Sequence, residues 1–402
     1  MDHEKTLGLL LDLGTHMMGC GAETHRVEDS LYRLLAAYGF TQANVWVVPS
    51  NIQATAVDPE GRIHTQIRHV RSIEVDFDRL DSLNSVSRYC CEHTPDEREI
   101  KKRLSQALEV RRFRRRFRYP AAILAGVGFG VFFNCDAADA LAAVPASLLI
   151  AAFGRSLSRR ESNPLILNFV IAFVAELFIM LCVKLGLGHH TGHITVGVVM
   201  LLISALGTTN GVRDLVHLDT LSGVMNISAS LTGALGIALG IALPILLLPS
   251  WSTADPIGIN PNPIVTMIAA TVGCVGFALF FNVIKPKHVL TCAIGAALTW
   301  GVYLGLNAAM GRVFLPTLIG AAVCAVYALA AARVNKAPAT VFQTICIFPL
   351  IPGSALYYAA YGVVTGDAAL TREMGFSLFA ACFAIVLGFM AVEAVNRFIR
   401  KR

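Results

Sequence analysis

Charge is what this chain has least of. Only 15% of its 402 residues are Asp, Glu, Lys or Arg, while 55% are hydrophobic; a soluble domain ordinarily carries about a quarter charged residues. The shortage excludes an ordinary water-soluble globule, and it is uneven. Residues 1–118 carry normal charge, and beyond them apolar runs of about 17–25 residues follow one another, the length that crosses a bilayer as helix. Other chemistries are missing too. No CxxC pair occurs; the ten cysteines are scattered, mostly inside apolar runs (Cys182, Cys274, Cys292, Cys324, Cys346, Cys382), and read as small buried apolar residues. No glycine-rich phosphate loop supports ATP-driven work, and no nucleophile elbow supports acyl chemistry. No cofactor is implied. Met1–Leu10 lacks the basic-then-apolar pattern of a signal peptide, so residues 1–118 are expected to stay on the side where they are made. The net charge of +6 comes largely from basic residues flanking apolar runs, which is topology rather than a nucleic-acid partner.

What is present is a repeated phrase. Gly128-Phe-Gly-Val-Phe-Phe-Asn134 returns as Gly276-Phe-Ala-Leu-Phe-Phe-Asn282, an offset of 148 (276 − 128). Ten spans are expected, at about 119–135, 137–154, 164–186, 193–208, 224–248, 263–284, 288–308, 313–332, 338–363 and 375–396. Arginine and lysine gather on alternate loops. Arg111–Arg118, Arg155, Arg159, Arg160, Arg213, Lys285, Lys287, Arg333, Lys336, Arg397, Arg400, Lys401 and Arg402 mark the cytoplasmic side, with both termini there. Ten spans and that offset imply two five-helix repeats. Five is odd, so the second repeat enters from the opposite side, and inverted repeats are the architecture of secondary transporters. The fold class is therefore a polytopic α-helical membrane protein of about ten transmembrane helices in two inverted repeats (119–250 and 260–402), preceded by a soluble α/β domain (1–118). In that domain, helical spacing at Leu7–Met18 and Val27–Tyr38 precedes strands at Val45–Val48, Ile52–Val57 and Ile63–Ile67. Two further helices follow, the second opened by a capping box at Thr94-Pro95-Asp96-Glu97.

Candidate functional residues stand out by depth and type. Pro349 and Pro352, followed by Gly353, interrupt the ninth span; unwound backbone at that depth lines a cavity or is buried in protein. Its first-repeat counterpart is Ser204-Ala205, leading into Gly207–Gly211. Glu176 lies near the centre of the third span, where a carboxyl is paired, protonated or functional, and it is the candidate proton carrier. Asn134 and Asn282 close the repeated phrase, as two halves of one polar site or as helix-terminating caps. Asn210 and Asp214 lie four apart beside Arg213, and Gln343, Asn168 and Asn226 are further polar candidates that also serve as helix-packing glue. His189, His190 and His193 cluster on the outer side, but the lack of nearby carboxylates or cysteines leaves no metal site expected. Gly233, Gly236 and Gly240 read as close helix packing. Gly21-Ala-Glu23-Thr-His25-Arg26-Val-Glu28 opens a helix with dense charge, either as a solvated face or as a functional motif.

That last motif, the Pro49-Ser-Asn51 turn, Arg118-Tyr-Pro120, Asn210–Asp214 and Phe348–Gly353, taken in this order, resemble the threonine/serine exporter family. The resemblance covers nearly the whole chain. It implies a cytoplasmic-membrane exporter of small hydrophilic metabolites driven by the proton gradient, with a soluble N-terminal domain for which a hydrolase-like activity has been suggested. The chain departs from the family at Ser204-Ala205, where a Pro-Gly pair is frequent, and split-chain relatives are linked to dicarboxylates such as succinate. The expected activity is alternating-access export by proton antiport, with Glu176 linked to the proton and Asn134, Asn282 and Asn210 completing a midplane site. The expected partners are a small-molecule substrate, protons, the lipid bilayer and a second copy of the chain. Rival readings are a dicarboxylate exporter, a membrane-anchored hydrolase using Glu23, His25 and Glu28, and a sensor acting through the N-terminal domain.

Overall fold

The structure, a computed structural model, describes residues 2–71, 73–109, 112–158, 160, 161, 163–253 and 258–400, the side chains of 112–116, 205, 397, 399 and 400 excepted. Arg111, Arg159, Lys401 and Arg402, counted above among the basic flanks, lie outside these residues, as do the side chains of Arg112, Arg114–Arg116, Arg397 and Arg400. The chain divides into two compact units, one of residues 1–114, 210–226 and 281–283, the other of 115–209, 227–280 and 284–402.

In the first unit, α1 (His3–Gly19) and α2 (Thr24–Ala37) lead into an antiparallel sheet, β1 (Thr41–Val48), β2 (Asn51–Val57) and β3 (Ile63–His69), in the order β1-β2-β3. Then come α3 (Phe77–His93) and α4 (Glu97–Leu108). Asp2 caps α1 by accepting from the Lys5 N–H at 3.2 Å, and the apolar stripe Leu7, Leu10, Leu11, Met17 and Met18 is buried. Strand β2 alternates as a half-buried strand should, with Ile52, Ala54 and Ala56 inside. The expected capping box at Thr94 is displaced by two residues. Asp96 is the N-cap of α4, accepting from the Glu99 N–H at 2.9 Å, while Thr94 ends α3 with φ of +41°. Pro95 follows the turn instead of opening the helix, because Thr94 is left-handed where it closes α3 and an N-cap needs extended backbone. Phe77 donates its N–H to the Phe281 carbonyl at 3.1 Å, and the two rings meet edge to face, which ties 281–283 into this unit.

The second unit is helical: α5 (Arg112–Phe132), α6 (Ala137–Leu157), α7 (Pro164–Lys184), α8 (Thr191–Val199), α9 (Ala205–Val216) and α10 (Thr220–Leu247), then α11 (Pro263–Phe280), α12 (Pro286–Met310), α13 (Phe314–Asn335), α14 (Ala339–Cys346), α15 (Gly353–Thr365) and α16 (Ala368–Arg400). The N-terminal end of α5, the C-terminal part of α9 and the start of α10 belong to the first unit. Seven helices among the described residues are long and apolar enough to span a bilayer (α6, α7, α10, α11, α12, α13 and α16), or eight if α14 and α15, bent by 50°, count as one. The protein is polytopic. The first expected span is matched by an apolar helical stretch, Phe117–Phe132, among the residues whose side chains are described. The fourth, 193–208, is not one helix: the chain leaves helical geometry at Leu201–Ser204 between α8 and α9.

The helices after α7 keep register with those after α13: α8, α9 and α10 begin at Thr191, Ala205 and Thr220, and α14, α15 and α16 begin 148 positions later at Ala339, Gly353 and Ala368. Helices α5 and α11 cross where neither has a side chain. A Cβ on Gly128 would meet the Gly273 backbone nitrogen at 2.7 Å, and one on Gly276 would strike the Ala125 backbone. The pairs run in opposite senses along the two helices, so the crossing is antiparallel. Gly236 and Gly240 seat α10 on the Leu165 and Phe169 carbonyls of α7, and Gly388 seats α16 on the Leu318 carbonyl of α13, one residue from the same offset. Small residues bring helices close where lipid offers no hydrophobic drive for association.

Gly276→Val is expected to weaken the second unit by about 1–3 kcal/mol through overpacking. Gly305→Ala, whose Cβ meets nothing within 4 Å, should leave it unchanged or raise it. Thermal unfolding of the purified protein in detergent checks both, and equal melting of the two variants would discount the crossing.

Candidate functional site

Two helix breaks face the same space. In the second half, Cys346 ends α14, Phe348–Leu350 form a single 3-10 turn with Pro349 at its start, and Pro352 precedes α15. Phe348 is fully buried and stacks on Phe277 at 3.8 Å between ring centroids, which fixes where the turn falls. In the first half the break lies between Met200 and Ser204, and the Ser204 hydroxyl accepts from the Gly207 N–H at 3.3 Å, starting α9 as a serine cap where the other half has proline. Both breaks border a cavity of about 260 Å³.

Its lining follows the repeat offset. Ile203 and Ile351, Ser204 and Pro352, Thr208 and Leu356, and Ser230 and Leu378 are each 148 apart, and all eight line it. Ala234 and Cys382, and Ile237 and Ile385, are two further pairs at this offset, and in three of the six the first half supplies a hydroxyl where the second has none. Asn168 and Thr209 add further polar groups to a lining that is otherwise mainly apolar, and Asn168 donates to the Gly233 carbonyl at 3.2 Å. None of the lining side chains is charged. Of the residues singled out in the sequence as substrate-binding, only Pro352 lines this cavity; Asn134, Asn282, Asn210, Asp214, Gln343, Pro349 and Gly353 do not.

Asn134 and Asn282 are explained by backbone geometry. Both have positive φ, +73° and +61°, just past the ends of α5 and α11. At Asn134 the Cys135 N–H reaches the Gly130 carbonyl at 2.9 Å and the Asn134 N–H reaches Val131 at 3.1 Å, the two bonds of a Schellman termination. Asparagine tolerates that conformation better than other non-glycine residues. Of the two readings the sequence allows for these asparagines, the backbone of each fits a helix-terminating cap.

Glu176 is fully buried on α7. Its Oε2 accepts from the Thr195 hydroxyl of α8 at 2.7 Å, and its Oε1 has no hydrogen-bond partner among the described residues. The offset carries Glu176 onto Cys324 and Thr195 onto Gln343, and those two also meet, with the Cys324 thiol 3.8 Å from the Gln343 carbonyl. The helix contact is kept in both halves, and the carboxyl is in one.

The charged motif of the first unit packs on residues 213–226. Glu23 and Arg213 form an ion pair in which both side chains are more than nine-tenths buried. Thr24 donates to Asp214 at 3.3 Å, Asn226 donates to the same carboxylate oxygen at 3.0 Å, and His25 stacks on His217 at 4.5 Å. Arg26 is exposed and Glu28 half-buried near Asp219. Glu23 is committed to Arg213, so the hydrolase reading loses its first catalytic group. Asn210 is buried, and its Oδ1 is without a hydrogen-bond partner among the described residues. Burial pushes the Asp214 carboxyl up to about 7; the Asn226 bond opposes the shift, the Glu23 carboxylate adds to it, and Thr24 and Asp219 oppose and add in smaller measure. Sequence reasoning missed His217 and Asp219 as members of this cluster, since nothing local marks them. It also missed Asp136 and Asp139, which the fold sets beside His189 and His190.

Two family models match the chain: a threonine/serine exporter model over residues 8–248 and the model described as "Threonine/Serine exporter, ThrE" over residues 266–395. No curated protein and no solved structure matches it.

Arg213→Met should cost about 3–5 kcal/mol, because it strands a buried Glu23 carboxylate, and adding Glu23→Leu should recover most of the loss. Denaturant unfolding of the full chain reads this, and a double variant as weak as the single one would refute it. Asp214 also titrates across the transition. Its folded pKa of about 7 exceeds the ordinary aspartate value of 3.8, so its contribution is fully present below about pH 4 and fades as pH rises through 7. Asp214→Asn should flatten that part of the stability–pH curve; an unchanged slope would remove Asp214 as its source.

Proposed function

The chain belongs to the threonine/serine exporter family, and from that premise we propose that it exports threonine and serine from the cytoplasm by proton antiport with alternating access. The observation that carries this reading is the crossing of α5 and α11. The offset of 148 carries Gly128 onto Gly276 and Ala125 onto Gly273, so the contact of Gly128 with Gly273 turns into that of Gly276 with Ala125. An interface whose contacts exchange in this way is self-complementary about a two-fold axis. Two antiparallel copies about such an axis are an inverted repeat, and rocking one against the other opens a central site to either side in turn.

The cavity bordered by both breaks is that site in this reading. Its hydroxyls and the Asn168 amide suit a small hydroxy amino acid, which is neutral overall. A dicarboxylate would bring two negative charges against a lining with no cation, and an unpaired buried charge is costly. Glu176 is the proton-linked group in this reading, since one carboxyl oxygen is held by Thr195 and the other has no hydrogen-bond partner among the described residues. In this reading the N-terminal unit and both termini are cytoplasmic and the helices lie in the cytoplasmic membrane, which the alternation of basic loops in the sequence supports.

Cells preloaded with labelled threonine, serine or succinate test this. Protein-dependent threonine and serine efflux that a protonophore abolishes is expected, and Glu176→Gln should slow it at least about tenfold, a loss of some 1.4 kcal/mol of coupling, with expression unchanged. Efflux of succinate alone would overturn the substrate. Full protonophore-sensitive export by Glu176→Gln would remove that residue from the mechanism.

A further inference from the structure

The histidine cluster before α8, set aside in the sequence for want of carboxylates, acquires two of them in the fold. Asp136 caps α6, accepting from the Asp139 N–H at 2.9 Å, and Asp139 turns back to the Asp136 N–H at 3.3 Å. That capping box brings Asp139 against the loop from α7 to α8. The Asp139 side chain is fully buried, and its two oxygens are used differently. Oδ1 accepts the backbone N–H groups of His189 and His190 at 2.7 and 3.0 Å, whereas Oδ2 faces the imidazole Nδ1 of His190 at 2.8 Å. His193, in the first turn of α8 and 3% exposed, has its ring 4.9 Å from that of His190. One ligand atom from each of Asp139, His190 and His193 lies within 4.8 Å of the others.

The geometry points to a divalent-cation site formed by Asp139, His190 and His193, with zinc as the cation its ligand chemistry favours. Two imidazoles and one carboxylate are a borderline-soft set that suits zinc over magnesium or calcium, which prefer oxygen alone. Three protein ligands leave a fourth position open, as in exchangeable sites. The amides on Oδ1 act as an outer shell: they aim the carboxylate and leave Oδ2 to the metal, and ligating carboxylates are commonly held this way. The Asp136–His189 pair, 2.6 Å between Oδ2 and Nδ1, lies beside the site and is more exposed, so it is a neighbour and not a ligand. A cation here joins the first turn of α6 to the first turn of α8, the leading arm of the first broken helix. It would fix the outer end of that arm.

Zinc titration of the untagged, full-length protein in detergent, with bound metal counted after gel filtration, tests this. About one zinc per chain is expected, with no comparable magnesium binding. His190→Gln and His193→Gln should each weaken zinc binding tenfold or more while melting like the parent without metal, and His189→Gln should keep it. Asp139→Asn is a poor probe, because Asp139 also caps α6. Absence of saturable zinc binding, or its survival in the His190→Gln, His193→Gln double variant, would overturn the site. Loss in His189→Gln alone would overturn the ligand set.

Discussion

The second unit depends on one close approach, the side-chain-free crossing of α5 and α11. In a bilayer, helices gain nothing by hiding apolar surface from one another, and they associate through dispersion over whatever surfaces can come near. Gly128, Gly273 and Gly276 let two backbones touch, and any Cβ there would force them apart. The aromatic side chains of the repeated phrase then pack around the gap. Phe129 meets Phe132 and Phe277 edge to face, and Phe277 stacks on Phe348. Through Phe348 the crossing also fixes the position of the second helix break, so the two observations are one constraint. The phrase is repeated because both helices need the same glycine-then-phenylalanine surface to meet at that crossing.

A shared register of helix starts coexists with one-sided chemistry. The contact between the third helix of each half and the arm before its break is kept, yet one half places a carboxyl and a hydroxyl there and the other a thiol and a carbonyl. The cavity shows the same division, with Ser204, Thr208 and Ser230 opposite Pro352, Leu356 and Leu378. Identical halves would hold two ionisable groups and a cavity polar on both walls. Helix packing demands small residues at fixed spacing, so it preserves the register. It places no demand on the polar groups, which are left to differentiate.

How much of this the sequence reveals depends on the range of the interaction. The repeat, the glycine stripe on α10, the interruption at Pro349–Gly353 and the buried Glu176 are legible because each is a local pattern of residue type and depth. Asn134 and Asn282 read two ways in the sequence, as site residues or as helix caps, because a polar side chain at a helix end serves either, and the left-handed turn each one adopts is visible only in the backbone. The break at Leu201–Ser204 carries no proline to announce it. The carboxylates beside His189 and His190 come from some fifty positions earlier, and Arg213 reaches Glu23 across 190. No window along the chain contains such pairs, and only the fold brings them together.

The Glu23–Arg213 pair shows why the charge in the 23–28 motif is dense. Desolvating two ions costs several kcal/mol each, and their attraction roughly restores that amount, so a buried pair is a weak source of net stability compared with well-packed apolar residues. Its value lies in what it forbids. Slipping α2 by one residue against residues 213–226 would leave a guanidinium and a carboxylate each buried without a partner, and Thr24 and His25 would lose Asp214 and His217 together. Apolar residues at these positions would tolerate such a slip. The motif therefore sets a single register between the start of α2 and the hairpin joining α9 to α10, and it does so with residues that a catalytic reading would have spent on chemistry.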